Sequence, residues 1–153
     1  MPLQLNKQTS MSATTTSKVL TILIVVLCLA GVIVASLALG EHYNTGSSPC
    51  SINDVWDCGV VNHSPYAVLR GIPVAMIGIV GYSLLAVFAG RFPWITAALA
   101  FGALIFSLRL TWIEWKSLGV WCIYCVTSQI IIAIVFPLTV VAAWLSRRKP
   151  ASS

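Results

Sequence analysis

The sequence carries five cysteines, Cys28, Cys50, Cys58, Cys122 and Cys125. Cys122-Ile-Tyr-Cys125 sets two thiols three positions apart. On a helix such positions share a face, so the sulfurs can close a disulfide or meet one partner in turn. At a helix start, unpaired N–H groups and the positive dipole end favour a thiolate, the form that exchanges. Cys50 and Cys58 flank the polar segment Ser-Ile-Asn-Asp-Val-Trp-Asp. That segment can bend so that one sulfur faces water while the other reaches a neighbouring surface. Thiol–disulfide exchange is the chemistry these spacings suit. A static bridge across residues 50–58 and a zinc site using Cys50, Cys58, Cys122 and Cys125 are the competing readings. Cys28 lies within a long apolar run and reads as a small apolar filler.

The elements that position these residues are set by composition. Of 153 residues, 58% are hydrophobic and only 8% charged, with a mean hydropathy of +0.92. Soluble domains run nearer a quarter charged, so the chain is built for lipid. Apolar stretches run from about Lys18 to Leu39, from Gly71 to Gly90, from Pro93 to about Trp115, and from about Cys122 to Leu145. At about 1.5 Å per residue each crosses a hydrocarbon core of roughly 30 Å. Helices are the natural spanning form, because lipid offers no partner for unpaired backbone groups. The first stretch is longer than a signal-peptide core, and Ala35-Ser-Leu-Ala38 is read as helix and not as a cleavage site. The expected fold is an all-α integral membrane protein, a four-helix bundle with one long extracytoplasmic loop. Residues 1–17 are expected to form a disordered cytoplasmic tail, 18–146 the membrane domain, and 147–153 a basic cytoplasmic tail.

Charge orients the bundle. Lys7 and Lys18 precede the first stretch, Arg91 separates the second and third, and Arg147, Arg148 and Lys149 follow the fourth. On the other side lie Arg70 and Lys116. The positive-inside rule places both termini in the cytoplasm. The net charge of +5 is then a topology signal, and no nucleic-acid motif accompanies it. Arg109 stands out inside the third stretch, where an unpaired charge is costly. It is expected to snorkel outward, to pair with Glu114, or to sit beside a cofactor pocket or acidic headgroup.

This topology puts Cys50, Cys58, Cys122 and Cys125 on one extracytoplasmic face, where disulfides persist. Exchange among them only moves a disulfide about; net oxidation needs a two-electron sink. No dinucleotide, haem or flavin signature is present. A lipid-soluble quinone needs only an apolar slot near the C-x-x-C, and Ala75, Gly78, Gly81 and Ser83 are small enough to shape one or simply to pack helices closely.

Over about residues 18–146 the sequence resembles the vitamin K epoxide reductase family, in particular its prokaryotic, disulfide-forming branch without a fused thioredoxin domain. The resemblance is carried by Cys50-x7-Cys58, Ser64, Gly71-Ile-Pro73 at the start of the second helix, and Trp121-Cys-Ile-Tyr-Cys125 opening the last. It implies a four-helix bundle around a quinone of the menaquinone or ubiquinone type. Cys125 is implied to lie next to the quinone, Cys122 to exchange with Cys58, and Cys50 to meet a thioredoxin-like partner. Ser64 matches the family's hydroxyl residue near the quinone head; its bland role is to cap a helix that begins at Pro65.

The sequence also departs from the epoxide-reducing vertebrate members. Those carry an asparagine in the second helix and a tyrosine four residues after the last cysteine. Residues 71–92 contain no Asn, and the other position is Gln129. Quinone reduction is therefore favoured over epoxide reduction. The expected activity is a quinone-dependent thiol oxidase in a bacterial inner membrane, reoxidising a separate periplasmic thioredoxin-like protein. Another bacterial family of quinone-linked thiol oxidases carries its C-x-x-C in the first outer loop, an order opposite to this one. The non-enzyme alternative is a small membrane scaffold or transporter subunit with structural disulfides.

Overall fold

The computed structural model describes residues 2–147, with side-chain detail from Thr15 onward. Arg148 and Lys149, read above as topology signals, lie outside the described residues, as does the rest of the tail after Arg147. Among the described residues five α-helices run in chain order: α1 Pro2–Tyr43, α2 Cys58–His63, α3 Val74–Phe88, α4 Pro93–Ile113 and α5 Ile123–Arg147. The helical backbone of α1 begins at Pro2, where an unstructured tail through residue 17 was the expectation. Once an apolar helix is nucleated, extending it through Ser, Thr and Gln costs little per residue.

Three helical segments, Thr15–Tyr43, Pro93–Leu118 and Ile123–Arg147, are long and apolar enough to cross a membrane. α3 is apolar but has only 15 residues, about 22 Å of helix at ~1.5 Å per residue. It is shorter than the stretch from Gly71 suggests because residues 68–73 form a hairpin instead. Val68 pairs with Pro73 and Leu69 with Ile72, joined by Arg70 (φ 53°) and Gly71 (φ 85°). Positive φ at both loop residues matches the twist of a tight two-residue hairpin, and Gly71 adopts it without cost. The fold thus departs from all-α by one short hairpin.

α1 packs against α3 and α5, and α5 also packs along α4. The midsection core joins Ile24 and Cys28 of α1, Tyr82 and Leu85 of α3, Ala100 of α4, and Ile132 and Val135 of α5. The α1–α3 contact depends on glycine. A Cβ on Gly31 would stand 2.6 Å from the Tyr82 ring, and one on Gly78 would stand 3.4 Å from the Ala35 Cβ. Outward-facing Leu23, Val26, Leu29, Ile33 and Leu37 of α1 are exposed, an apolar stripe suited to hydrocarbon and not to water. Cys28 is fully buried in this core.

Candidate functional site

At one end of the bundle a second buried cluster brings together Cys50, Cys58, Val61 and Cys122, with Cys125 packed against it. Two backbone hydrogen bonds set this register. Asp57 N–H donates to Trp121 O at 3.0 Å and Trp121 N–H to Val55 O at 2.8 Å. This parallel bridge between Trp56 and Trp121 holds the residue before Cys58 beside the residue before Cys122. The segments of the two cysteine pairs are thereby in direct contact at this end of the bundle.

The loop segment is organised by its own polar side chains. Asp57 caps α2, accepting from Val60 N–H at 3.0 Å and from the Ser51 hydroxyl at 2.6 Å. The Ser51 hydroxyl first, and then the Val60 N–H, hold the Asp57 carboxyl below its usual range. Cys50 and Cys58 are joined in a disulfide, so neither is available as a thiolate zinc ligand. Both are buried, Cys58 completely and Cys50 to within 5%.

Cys122 and Cys125 are free thiols. Cys122 precedes the first residue of α5 and takes the N-cap place there, as the helix-start reading expects. The Cys125 thiol and backbone N–H lie beside the Cys122 sulfur, where both favour its thiolate. Asn62 Nδ2 adds a weaker contact at 3.5 Å. These donors, the Cys125 thiol foremost, outweigh burial and lower the Cys122 pKa below that of an ordinary cysteine. Asn62 Nδ2 also donates to Cys58 O at 2.8 Å, so one buried amide touches both cysteine segments. His42 at the end of α1 donates through Nδ1 to Asn62 O at 2.6 Å and holds α2 against the bundle.

A cavity of about 350 Å³ opens beneath this cluster, between α1, α3, α4 and α5. Its volume lies at the lower end of the roughly 300–1,000 Å³ usual for small-molecule sites. Cys125, Ser64, Asn62, Ser128 and Glu114 supply polar or reactive groups to a wall otherwise built largely of aliphatic and aromatic side chains. Of the small residues expected to shape a slot, Ala75, Gly78 and Gly81 line it, and a Cβ at Gly81 would meet nothing within 4 Å. Ser83 does not; its hydroxyl returns to Ile79 O at 2.7 Å. Ser64 is buried on the cavity wall, yet its hydroxyl donates to Val61 O at 2.7 Å. The helical turn at Pro65 gains no side-chain cap from it.

Arg109 behaves otherwise than two of its expected roles. Its side chain is exposed on α4 and does not line the cavity. Glu114 turns inward instead, 3% exposed, where it accepts Cys122 N–H at 3.2 Å beside the Cys125 thiol. A π-helical turn over Glu114–Leu118, closed by Gly119 at φ 68°, brings the carboxylate to that position. Gln129, at the place of the vertebrate tyrosine, is bonded to Ser107 and Thr111.

Asn62 and Glu114 are the site residues that sequence reasoning passed over. Asn62 lies four positions after Cys58 and therefore on the same helix face, which is a readable signal. An acid near the end of an apolar helix is a functional candidate by cost alone; assigning it to Arg109 hid that signal. The vitamin K epoxide reductase family model matches residues 22–140, most of the bundle, with Cys50, Cys58, Cys122 and Cys125 inside it. No curated protein matches the chain.

Proposed function

The chain belongs to the vitamin K epoxide reductase family, a family of membrane thiol–disulfide oxidoreductases that work with quinones, and from that premise we propose the following path. The protein is a quinone-dependent thiol oxidase of the prokaryotic, disulfide-forming branch, set in a bacterial inner membrane. Four helices, α1, α3, α4 and α5, cross the bilayer, the shorter α3 with the 68–73 hairpin completing its outer end. Both termini are cytoplasmic, and the cysteines face the periplasm.

A reduced thioredoxin-like protein attacks the Cys50–Cys58 disulfide at Cys50, the less buried sulfur. Cys58 leaves as a thiolate and attacks Cys122 of an oxidised Cys122–Cys125 pair, which frees Cys125. The partner's second thiol displaces Cys50 from the mixed disulfide and leaves the partner oxidised. The freed Cys50 thiolate then attacks Cys58, displaces Cys122 and restores the loop disulfide. The state with a loop disulfide and two free C-x-x-C thiols corresponds to the pair charged with two electrons. A quinone, when bound, supplies the two-electron acceptor that completes the cycle. The cavity suits such a group: it is mostly apolar, reached by Cys125, and edged by Ser64, Asn62 and Ser128. Ser64 faces it with lone pairs, its proton being engaged by Val61 O.

The observation that carries this reading is the joint burial of Cys58 and Cys122 in one cluster, with Cys125 on the wall of the cavity below. Purified Cys125→Ala protein, given dithiothreitol and a short-chain benzoquinone, should lose thiol-dependent quinone reduction. Retained turnover would sink the mechanism.

A further inference from the structure

Glu114 is a buried carboxylate that the path above leaves without a role. It is 3% exposed, accepts Cys122 N–H at 3.2 Å, and has the Cys125 thiol beside it. It also lines the cavity that Cys125 reaches. Burying a carboxylate is costly, and the Cys122 N–H, with the C-x-x-C motif packed around it, is its compensation. No ion pair offsets it among the described residues, since Arg109 is exposed on α4. Lys116, two residues on, lies over the rings of Trp112 and Trp115 at 5.8 and 4.5 Å. The other titratable side chains on the same cavity wall are His42 of α1, Tyr66 of the 3-10 turn after α2, Tyr82 of α3 and Tyr124 of α5.

The Cys125 thiol stands beside two groups able to take its proton, the Cys122 sulfur and the Glu114 carboxylate. Cys122 must surrender its own share when it becomes bonded sulfur, which leaves the carboxylate as the proton's destination. We propose that Glu114 is the proton carrier of the C-x-x-C half-reaction, taking the Cys125 thiol proton and releasing it into the cavity. The inference rests on the quinone-oxidase reading and adds to it the missing proton route.

Closing the Cys122–Cys125 bond removes two electrons from the two sulfurs. Cys122 reacts as the thiolate, its proton already lost to the water side. The Cys125 proton passes to Glu114, whose carboxylate becomes a carboxylic acid. The electron pair goes to the quinone, as does that proton, and a second proton comes from the water side. Glu114 is then a carboxylate again.

Glu114→Gln is the discriminating variant, because glutamine still accepts Cys122 N–H but holds no acidic proton. With dithiothreitol and a short-chain benzoquinone, kcat should fall about 100-fold, within the range usual for lost general acid–base catalysis. KM for either substrate should hold, and Glu114→Asp should restore part of kcat. The second readout needs no quinone. Oxidised-minus-reduced infrared spectra of quinone-free protein should show the S–H band lost and a protonated-carboxyl band gained. That carboxyl band should be absent from Glu114→Gln. A difference spectrum identical in both proteins, or a kcat within threefold of wild type, would overturn the assignment. Should Glu114→Gln fail to fold, the wild-type spectrum decides alone, and the absence of any carboxyl band there refutes the proposal. The quinone-oxidase reading fails separately, through an active Cys125→Ala protein.

Discussion

The two cysteine segments meet in one cluster yet are built by different means. Cys122 and Cys125 stand at the head of a 25-residue helix packed along α1 and α4. Their geometry is inherited from the bundle. Cys50 and Cys58 belong to a loop with a single six-residue helix, α2. It is held by the Asp57 cap, the Ser51 contact, His42 on Asn62 O and the two-bond bridge at Trp121. A handful of exchangeable polar contacts positions one pair, and apolar packing positions the other. Electron transfer by disulfide exchange requires such an asymmetry, since one partner must move between an outer thiol and an inner one while the other stays beside its acceptor.

The largest test of this contrast removes the sulfur that faces inward from the loop. In Cys58→Ala the loop has no leaving sulfur and no means of reaching Cys122. Turnover with a reduced thioredoxin-like protein should fall to background. With the oxidised form of that protein the Cys50 thiolate, lacking Cys58 to resolve it, should accumulate in a mixed disulfide on non-reducing gels. Normal turnover, or capture at Cys122 instead, would mean that the loop is not the relay and serves only as a staple.

A smaller effect is expected where the two segments touch through Asn62. Asn62→Ala removes the donor at 3.5 Å from the Cys122 sulfur while leaving the Cys125 donors in place. The Cys122 pKa should therefore rise toward that of an ordinary thiol. The thiolate of a lowered-pKa cysteine persists to lower pH, and the variant should lose it first as pH falls. One weak hydrogen bond of about 0.5–1 kcal/mol corresponds to alkylation of Cys122 about two- to fivefold slower at neutral pH. An unchanged rate would show that α5 alone sets the reactivity of Cys122, which sharpens the contrast between the segments.

The same contrast explains how far the sequence could be read. The apolar stretches and the cysteine spacings depend on composition and local periodicity, and α4 and α5 begin within a residue of the expected Pro93 and Cys122. The cavity contributions of Ala75, Gly78 and Gly81 were visible as small residues, though Ser83 on the outer face was not separable from them. The hairpin at 68–73 was hidden because Arg70 adopts positive φ, a conformation its residue type does not advertise. Asn62 and Glu114 were hidden for another reason. Their roles arise from contacts with Cys122, 60 and 8 positions away, and become apparent only once the Trp56–Trp121 bridge fixes the register.

The smallest effect should come from the loop's own cap. Asp57 satisfies Val60 N–H and anchors Ser51, and its pKa is lowered by those contacts. A depressed carboxyl pKa contributes stability that is complete above the unfolded value of about 3.9 and fades as pH falls through the folded one. In wild-type protein the loop disulfide should thus resist a phosphine reductant equally from neutral pH down to about 4 and yield faster only in stronger acid. Asp57→Ala should abolish that acid step. At neutral pH it should speed reduction of the Cys50–Cys58 bond about threefold, at the low end of N-cap losses of about 0.5–2 kcal/mol because water screens the carboxylate. Reduction of an oxidised Cys122–Cys125 pair should be unaffected, since its segment draws nothing from Asp57 beyond the backbone bridge. If both bonds responded equally, the loop and the head of α5 would open as a single unit, and the relay would need no independent movement of the loop.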